Sequence, residues 1–527
     1  MLKELGEHPD ITSEKNVFIQ FLSEDRKLIG NSGCNNFFGQ YEINNDLLSI
    51  TNLGSTKMMC PDMTIEDAFL QFLPKVQRYE VNGAVLILYG ENGKFATFES
   101  TPSFSTTQVD TLTAAQSDPK VMGWMQGFPP AKDKLITQPD SNYFSFPKLR
   151  WSVCHLREFL PTQEISRGIQ APMPLDYVSP ADFADLRQKI DAIAFTPMRS
   201  NQTMTWEQSL YENYTDGMLI IHKNQVVYER YFGCLQEDGK HAAMSMTKSI
   251  TGLLAEILVV NNQLDENALV KNIIPEIRDS AFADATVRQV MDMTTDVKYS
   301  ENYADPNADI WLYSAAASPL PKPADYVGPN GYWEYLQQVK RDGEHGQEFH
   351  YKTINSDMLG WIVSRVTGKS ITQLTSDVLW RPMGAEQSAY QTVDGKGVPF
   401  AGGGLTAGLR DLGRIGLLML NNGQINGKQL FAPQVVANIR KGGDRQKFGD
   451  GFPTLKSGSY TSQWWVFHNE HKAFAARGVH GQTIYVDPTA DMVLVRFASY
   501  PKAQNGFIDP TSLPAYDAVA KYLMAHR

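Results

Sequence analysis

The sequence predicts an α+β protein in which antiparallel sheets are flanked by helices. Two observations support this class. The first hundred residues contain short strand-like runs with a single helical stretch, and the region from about residue 180 has strands at both ends with helices between them. Strands that meet from the two ends of a region favour an antiparallel sheet with helices packed on it. At about 150 residues per domain, 527 residues allow two to four domains.

The front of the chain, residues 1–104, predicts a small domain of strands with one helix at 65–76. Asn92-Gly93 separates two strand-like runs, and both residues tolerate the positive φ of a hairpin turn. Residues rich in Ser and Thr follow, and then a stretch with many Pro and aromatic residues and no clear period. We therefore expect a linker and surface-wrapping segment at 105–144. The strand-like runs are 17–22, 47–50 and 85–89.

The larger region has its strongest helical signal at 245–260, where apolar residues repeat with the spacing of one helix face. These residues are Ile250, Leu253, Leu254, Ile257 and Leu258. Further helices are predicted at 355–367, 409–420 and 514–526. Strands are predicted at 218–221, 226–232, 483–486 and 492–498.

Composition excludes several classes of protein. The formal net charge is −10, from 48 basic and 58 acidic residues, which argues against nucleic acid as a partner. Four cysteines are too few for a disulfide scaffold. The sequence has no apolar run of the roughly 20 residues that a membrane span needs. Residues 1–20 contain no signal-peptide core, so export would require a leader ahead of this sequence.

One catalytic pattern is well placed, the Ser-x-x-Lys spacing of Ser245 and Lys248. Three other copies of the spacing contain a proline, which disfavours a helix through the motif. Residues three apart are neighbours on a helix, so Lys248 can take the proton of the Ser245 hydroxyl if burial keeps its amine neutral. The free N–H groups of a helix start suit a developing oxyanion. An ordinary helix start with a solvated lysine is the alternative.

Tyr351 is the second candidate, because it lies at the junction between a loop and the helix predicted at 355–367. A phenol can relay a proton between nucleophile and leaving group if a nearby cation lowers its pKa. The alternative is a packing role, as for any of the 22 tyrosines.

Together these motifs resemble the serine β-lactamase and penicillin-binding-protein superfamily, and more closely the 6-aminohexanoate-dimer (nylon-oligomer) hydrolases and their carboxylesterase relatives. The resemblance covers about residues 145–527 and implies a β-lactamase/transpeptidase-like domain there, an antiparallel sheet flanked by helices plus a helical subdomain. It is carried by LRWSVCHLREFLPTQEISRG, AAMSMTKSITG, VMDMTTDVKYSENYADP, FHYKTINSDMLGWIVSRVTG, FAGGGLTAGLRDLGRIGLLML, GSYTSQWW and GVHGQTIYVDPTADMVLVRFASYP.

The resemblance implies a nucleophile at Ser245, a general base at Lys248 and a proton-relaying Tyr351. It also implies an oxyanion hole made by the backbone N–H groups of Ser245 and Val479. We expect no metal and no cofactor. The positions that it places against the substrate are Tyr303, Ser314, Gly478 and His480.

Two departures from the superfamily bear on the substrate. Ala476-Arg477-Gly478 stands where β-lactamases have Lys-Thr-Gly, and Tyr351-Lys352-Thr353 stands where they have Tyr-x-Asn. The missing lysine removes an ammonium that would meet a substrate carboxylate. We therefore expect a small ester or amide substrate. The alternatives are a penicillin-binding D,D-peptidase-like enzyme and an inactive envelope binding protein on the same scaffold.

The front region resembles the META/HslJ-type domain of bacterial envelope proteins over about residues 10–100, through GNSGCNNFFGQYEI, STKMMC and the closing hairpin. This resemblance implies a location in the periplasm or cell envelope, with the cytoplasm as the alternative. Cys34 and Cys60 form a disulfide or remain two buried thiols. Cys154 and Cys234 are predicted to be core residues. The sequence does not indicate an oligomeric state.

Overall fold

A computed structural model describes most of the chain, and it divides into two compact units, Met1–Thr111 and Leu112–Arg527. The second unit thus includes much of the segment predicted as a linker. The described ranges are 2–5, 17–22, 26–32, 35–44, 46–55, 63–82, 85–91, 93–99, 112–137, 143–302, 305, 308–319, 322 and 326–526.

The first unit is an eight-stranded antiparallel sheet with one α-helix, α1 (Thr64–Phe72), among its described residues. Its strand order is β1-β8-β7-β6-β5-β4-β3-β2. The predicted helix ends earlier than expected, because Pro74 lies in a 3₁₀ turn that follows α1. The predicted hairpin is present, although Asn92 lies outside the described residues. The strands are β1 (Leu2–Leu5), β2 (Phe18–Leu22), β3 (Lys27–Asn31), β4 (Asn36–Asn44), β5 (Leu47–Ser55), β6 (Arg78–Asn82), β7 (Val85–Gly90) and β8 (Gly93–Glu99).

The second unit contains a large sheet, a small sheet and two short hairpins. Its strands are β9 (Thr162–Ile165), β10 (Asp176–Tyr177), β11 (Ala194–Phe195), β12 (Met204–Thr205), β13 (Thr215–His222), β14 (Gln225–Tyr231), β15 (His241–Ala242), β16 (Ala389–Thr392), β17 (Leu405–Ala407), β18 (Gln424–Ile425), β19 (Lys428–Gln429), β20 (Ser459–Thr461), β21 (Trp464–Val466), β22 (Phe474–Gly478), β23 (Gln482–Asp487) and β24 (Met492–Ala498).

Helices surround these sheets. They are α2 (Pro119–Met122), α3 (Leu149–Ser152), α4 (Pro180–Asp191), α5 (Trp206–Glu212), α6 (Met246–Val260), α7 (Val270–Ile273), α8 (Val287–Met291), α9 (Asp309–Ala317), α10 (Tyr332–Gln338), α11 (Ile354–Thr367), α12 (Ile371–Thr375), α13 (Leu409–Leu420), α14 (Pro433–Lys441), α15 (Arg445–Phe448) and α16 (Asp509–His526). Among the helices of the described ranges, none has both the length and the apolar character of a membrane span.

The large sheet has the order β10-β14-β13-β24-β23-β22-β21-β20, so β24, the last strand, pairs with β13, which comes early among the strands of this sheet. Each pairing is antiparallel except that of the short edge strand β10. Alternate residues of β13 pack into different cores: Leu219 and Ile221 belong to the core that contains α6 and α13, and Met218 and Ile220 to the core that contains α16. Burial on both faces explains the continuous apolar run of β13.

The predicted helices are confirmed with small changes at their ends. The signal at 245–260 becomes α6, which Ser245 precedes, and the final helix begins at Asp509 rather than at residue 514. Pro510 lies in the first turn, where a proline is tolerated, and Pro514 lies inside the helix and does not mark its start. Helices α7 to α12 lie in the chain between β15 and β16, and α11 packs against α6.

The prediction for Cys154 and Cys234 was wrong in one respect. The two residues form a disulfide bond across a Cα–Cα distance of 6.1 Å, whereas we expected separate core residues. They are 80 residues apart in the sequence, so only the fold brings them together. Cys34 and Cys60 lie outside the described residues.

Candidate active site

Ser245 lies at a sharp turn between β15 and α6. Met244, immediately before it, has a left-handed φ of 49°, which is uncommon for a residue with a side chain. This turn places Ser245 at the N-cap of α6, where its side chain makes no capping bond. The residue is 8% exposed. A buried hydroxyl at a helix start is therefore free for chemistry instead of helix capping.

Lys248 lies one helical turn later and points at Ser245. Its Nζ donates to Ser245 Oγ at 3.0 Å and to the carbonyl of Gly402. Lys248 is 1% exposed, and burial lowers the pKa of its amine to about 8, although the carboxylates of Glu301 and Asp357 oppose this shift. About half of the Lys248 amine is therefore neutral near pH 8, as a general base requires.

Tyr351 completes this group of three. The Ser245 side chain is near enough to lower the pKa of the Tyr351 phenol, and the Tyr351 ring centroid lies 5.3 Å from Lys248 Nζ. Burial raises the pKa of the phenol above its usual value, and Glu301 adds to the rise. This differs from our expectation that a cation lowers the pKa, because desolvation outweighs the nearby positive charge of Arg477. Tyr351 is thus protonated in the resting enzyme and available as a proton donor.

The backbone at Gly478 and Val479 lies against the nucleophile. A methyl group built on Gly478 would lie 2.9 Å from the Ser245 nitrogen and 2.8 Å from the Ala243 carbonyl oxygen. Gly478 has a φ of −137°, which any residue adopts, so its small size is what allows this approach. Within the described ranges, no backbone carbonyl accepts from the N–H of Ser245 or Val479. Two unengaged N–H groups beside the nucleophile suit an oxyanion hole.

We expect Gly478→Ala to lower kcat about 100-fold while the protein stays folded, because the added methyl pushes the strand away from the Ser245 amide. Steady-state ester hydrolysis, with circular dichroism as the folding check, measures the effect. Gly451→Ala is the matched control, since a methyl group there meets no atom within 4 Å. Equal kcat values for the two variants would contradict an oxyanion hole at this strand end.

The other residues predicted to contact the substrate differ in where the structure places them. His480 is held at the turn after Gly478, where its Nδ1 and the Tyr500 carbonyl oxygen lie 2.7 Å apart, and burial lowers the pKa of its imidazole to about 4. Ser314 is exposed on α9 and donates to the Ile310 carbonyl, so no hydrogen bond in the described part of the chain joins it to the three central residues. Tyr303 lies outside the described residues.

Sequence reasoning missed two carboxylates near the lysine. Asp357 of α11 is 1% exposed and accepts a hydrogen bond from the Tyr313 hydroxyl at 2.7 Å. Glu301 accepts bonds from the backbone N–H and the hydroxyl of Thr353, the residue that replaces the usual asparagine. These carboxylates are far from Ser245 in sequence. The one available signal was that Asp357 falls on the apolar side of a predicted helix.

Arg477 does not offer an unpaired cation to a substrate. It is buried and forms an ion pair with Asp509 of α16, and its guanidinium lies 5.6 Å from the Trp465 ring centroid. Trp465 in turn packs on Tyr351 at 5.4 Å between ring centroids. The arginine thus supports the aromatic wall beside the tyrosine.

Among the described residues, one group has the spacing of metal ligands, namely Cys154, Cys234 and His241. The two sulfur atoms are bonded to each other, and the His241 ring lies 3.2 Å from Asp216 Oδ2 and beside the Ala242 carbonyl. A disulfide sulfur is not a thiolate ligand, so this group does not fit a metal ion in the structure as it stands.

Known protein families match both units of the chain. A sequence profile described as Beta-lactamase matches residues 209–513, and one described as META domain matches residues 2–102. The chain is 33% identical over 361 residues to the 6-aminohexanoate-dimer hydrolase of Paenarthrobacter ureafaciens, covering 67% of this chain and 86% of that protein. An Escherichia coli protein assigned as a D-alanyl-D-alanine carboxypeptidase is 21% identical over 323 residues, covering 57% of this chain and 64% of that protein. A solved structure from Bacillus anthracis, assigned as a 6-aminohexanoate-dimer hydrolase, has a TM-score of 0.65 at 31% identity and covers 76% of this chain and 99% of its own.

Proposed function

The chain belongs to the Beta-lactamase family of hydrolases and carries a META domain ahead of the catalytic part, and from this premise we propose that it cleaves small ester or amide substrates through an acyl-enzyme on Ser245. The observation that carries the proposal is the 3.0 Å hydrogen bond between Lys248 Nζ and Ser245 Oγ, in a site where both groups are buried. A lysine with a pKa near 8 next to a serine is a base next to its nucleophile.

In the proposed first step, neutral Lys248 takes the hydroxyl proton as Ser245 Oγ attacks the substrate carbonyl carbon. The carbonyl oxygen becomes an oxyanion that the N–H groups of Ser245 and Val479 stabilise. When the tetrahedral intermediate collapses, the bond to the leaving group breaks and Tyr351 protonates the departing alcohol or amine. The Lys248 ammonium then returns a proton to Tyr351. Water hydrolyses the ester to Ser245 by the same steps in reverse order.

The substrate class follows from the charges near the nucleophile. Ala476 replaces the superfamily's lysine, and the positive charge of Arg477 is neutralised by Asp509. A carboxylate-bearing substrate such as a β-lactam would find no unpaired cation on this strand, so neutral esters and amides are favoured. The similarity to hydrolases named for 6-aminohexanoate dimers supports linear amides as one class of substrate, and the lack of an unpaired cation on this strand favours amides without the dimer's carboxylate. Tyr303, Ser314, Gly478 and His480 stay the proposed substrate contacts.

A D,D-peptidase activity is the second candidate, supported by the similarity to an assigned D-alanyl-D-alanine carboxypeptidase.

We also propose a location in the cell envelope, because the disulfide between Cys154 and Cys234 needs an oxidising compartment. Within the chain, we propose a hydrolase domain at 145–527 and a preceding linker and wrapping segment at 105–144, of which the described residues 112–137 pack on the hydrolase unit. The guanidinium of Arg150 supports the wrapping, since it donates to the Ala114 carbonyl and to the Ser117 hydroxyl.

The test is to trap the acyl-enzyme. After rapid acid quenching of a reaction with p-nitrophenyl butyrate, we expect mass spectrometry to find the butyryl group on the peptide that contains Ser245. The relative rates for acetate, butyrate and octanoate esters then size the acyl pocket. In a parallel sample, stable attachment of labelled penicillin to Ser245 together with poor ester turnover would favour the peptidase. A folded protein that neither reagent acylates would be a binding protein, contrary to the proposal.

A further inference from the structure

A buried carboxylate lies directly behind the proposed base. Asp357 of α11 receives two hydrogen bonds, from the Tyr313 hydroxyl to Oδ2 at 2.7 Å and from the Gly402 N–H to Oδ1 at 3.3 Å. Both bonds favour the ionised carboxylate, whereas burial opposes it and raises the pKa of Asp357 to about 7. The mechanism proposed above gives this carboxylate no role, although it is nearly as deeply buried as Lys248 itself.

Gly402 connects Asp357 to Lys248. Its N–H donates to Asp357, and its carbonyl oxygen accepts a hydrogen bond from Lys248 Nζ. A side chain at this position is excluded, because a methyl group would lie 2.6 Å from Thr353 Cγ2 and 3.0 Å from Asp357 Oδ2. The glycine is thus held tightly between α11 and the lysine. With one Nζ proton directed to the Gly402 carbonyl, the nitrogen is oriented toward Ser245 Oγ.

From this arrangement we infer that Asp357 is a positioning residue for Lys248, which it orients through Gly402 and whose protonation it controls by its charge. The inference rests on the proposed function, in which Lys248 is the base. An ionised Asp357 stabilises the ammonium form of Lys248 and so counteracts part of the effect of burial. This matters because a general base works best when its pKa lies near the working pH.

The other titratable groups in this region limit what Asp357 can do alone. Glu301, on the loop before α9, also favours the charged form of Lys248. Tyr332 of α10 and Tyr313 of α9 face Asp357, and burial raises the pKa of each phenol well above its usual value, so both are neutral. Removing the Asp357 charge therefore leaves Glu301 as the counter-charge of Lys248. The expected effect is a shift in the pH dependence of kcat/KM and not a loss of activity.

The first test is Asp357→Asn, which keeps the size of the side chain and removes its charge. Without that charge the ammonium form of Lys248 is less stable, so its pKa falls and the neutral base is populated at lower pH. We expect the midpoint of the rise of kcat/KM with pH to move down by about one pH unit. The plateau at high pH should fall several-fold, because Lys248 is then a weaker and less well oriented base.

Tyr313→Phe provides a second variant that removes only one hydroxyl. Loss of this hydroxyl raises the pKa of Asp357, so its carboxyl group is neutral over more of the pH range. The midpoint of the rise of kcat/KM with pH therefore also moves down, but by less than in Asp357→Asn. Tyr335→Phe is the matched control, because its ring packs against Tyr313 at 4.9 Å and its hydroxyl makes no described hydrogen bond to Asp357. We expect this control to leave the midpoint of the rise of kcat/KM with pH unchanged.

A direct titration separates this inference from the proposed function. In the Ser245→Ala background, the NMR signal of labelled Lys248, assigned by its absence in Lys248→Met, should titrate at lower pH when Asp357 is also replaced by Asn. An unchanged midpoint in both the rate profile and the titration would overturn the inference, even if Lys248→Met is inactive. If Lys248→Met instead keeps near-normal rates, the proposed base itself is wrong.

Discussion

Ser245→Ala is expected to lower ester hydrolysis by about five orders of magnitude or to the background rate of water, because no other group in the site can form the acyl bond. The protein should fold normally, since Ser245 makes no capping bond to the start of α6. Hydrolysis of p-nitrophenyl acetate and butyrate measures the effect, with the thermal midpoint as the folding check. A variant that kept even a tenth of the wild-type rate would exclude Ser245 as the nucleophile.

Ser249→Ala is the appropriate control for this change. Ser249 lies one turn further along α6, is more deeply buried than Ser245, and donates its hydroxyl to the Gln463 carbonyl at 2.6 Å. The same loss of a hydroxyl from the same helix should therefore reduce stability slightly and leave most of the activity. The comparison separates the chemistry of Ser245 from a general sensitivity of the helix.

The second large expected effect is the loss of activity when Lys248 is replaced. Since burial lowers the pKa of its amine to about 8, we expect kcat/KM of the wild type to rise with pH through about pH 8 as the neutral amine is populated. Lys248→Met fills a similar volume without a base and should lower kcat/KM about 1,000-fold and remove this rise. A pH series of initial rates for both proteins makes the measurement.

Lys352→Met is the matched control for this variant. Lys352 is also a buried lysine close to Tyr351, and burial lowers the pKa of its amine too, but its Nζ donates to the Val297 carbonyl and not to Ser245. We expect this control to keep most of the activity and the same dependence on pH. If both methionine variants lost activity equally, the effect of Lys248 would have to be assigned to packing.

The parts of the site that could be predicted from the sequence are those set by local spacing. The separation of three residues placed Lys248 beside Ser245, and the apolar period of 245–260 predicted the helix that carries both. Asp357 and the Gly402 carbonyl could not be assigned, because their contacts depend on how α11 and the 401–403 turn pack against α6. The higher pKa of Tyr351 was missed for a similar reason, since burial is a property of the folded core.

In the C-terminal part of the large sheet, too, some strands could be predicted from the local sequence and others could not. Strands β23 and β24 were predicted from their alternating and apolar residues, whereas the strand character of β20 and β21 was missed because each has only three residues. Two consecutive left-handed residues, Ser462 and Gln463, join them in a tight hairpin. This hairpin packs closely on α6 at Gly252, where a methyl group would lie 1.9 Å from the Ser462 carbonyl oxygen. Its position therefore depends on the packing of α6.

The pairing of β13 with β24 has a consequence for synthesis on the ribosome. The first unit completes its sheet by Glu99 and can fold early, but β13 must wait for nearly the whole second unit to be made before β24 emerges. At about 5–20 residues per second, this leaves an apolar central strand without one of its two neighbours for many seconds. The hydrolase unit should therefore depend on chaperones during translation, and premature termination before residue 492 should yield aggregated chains.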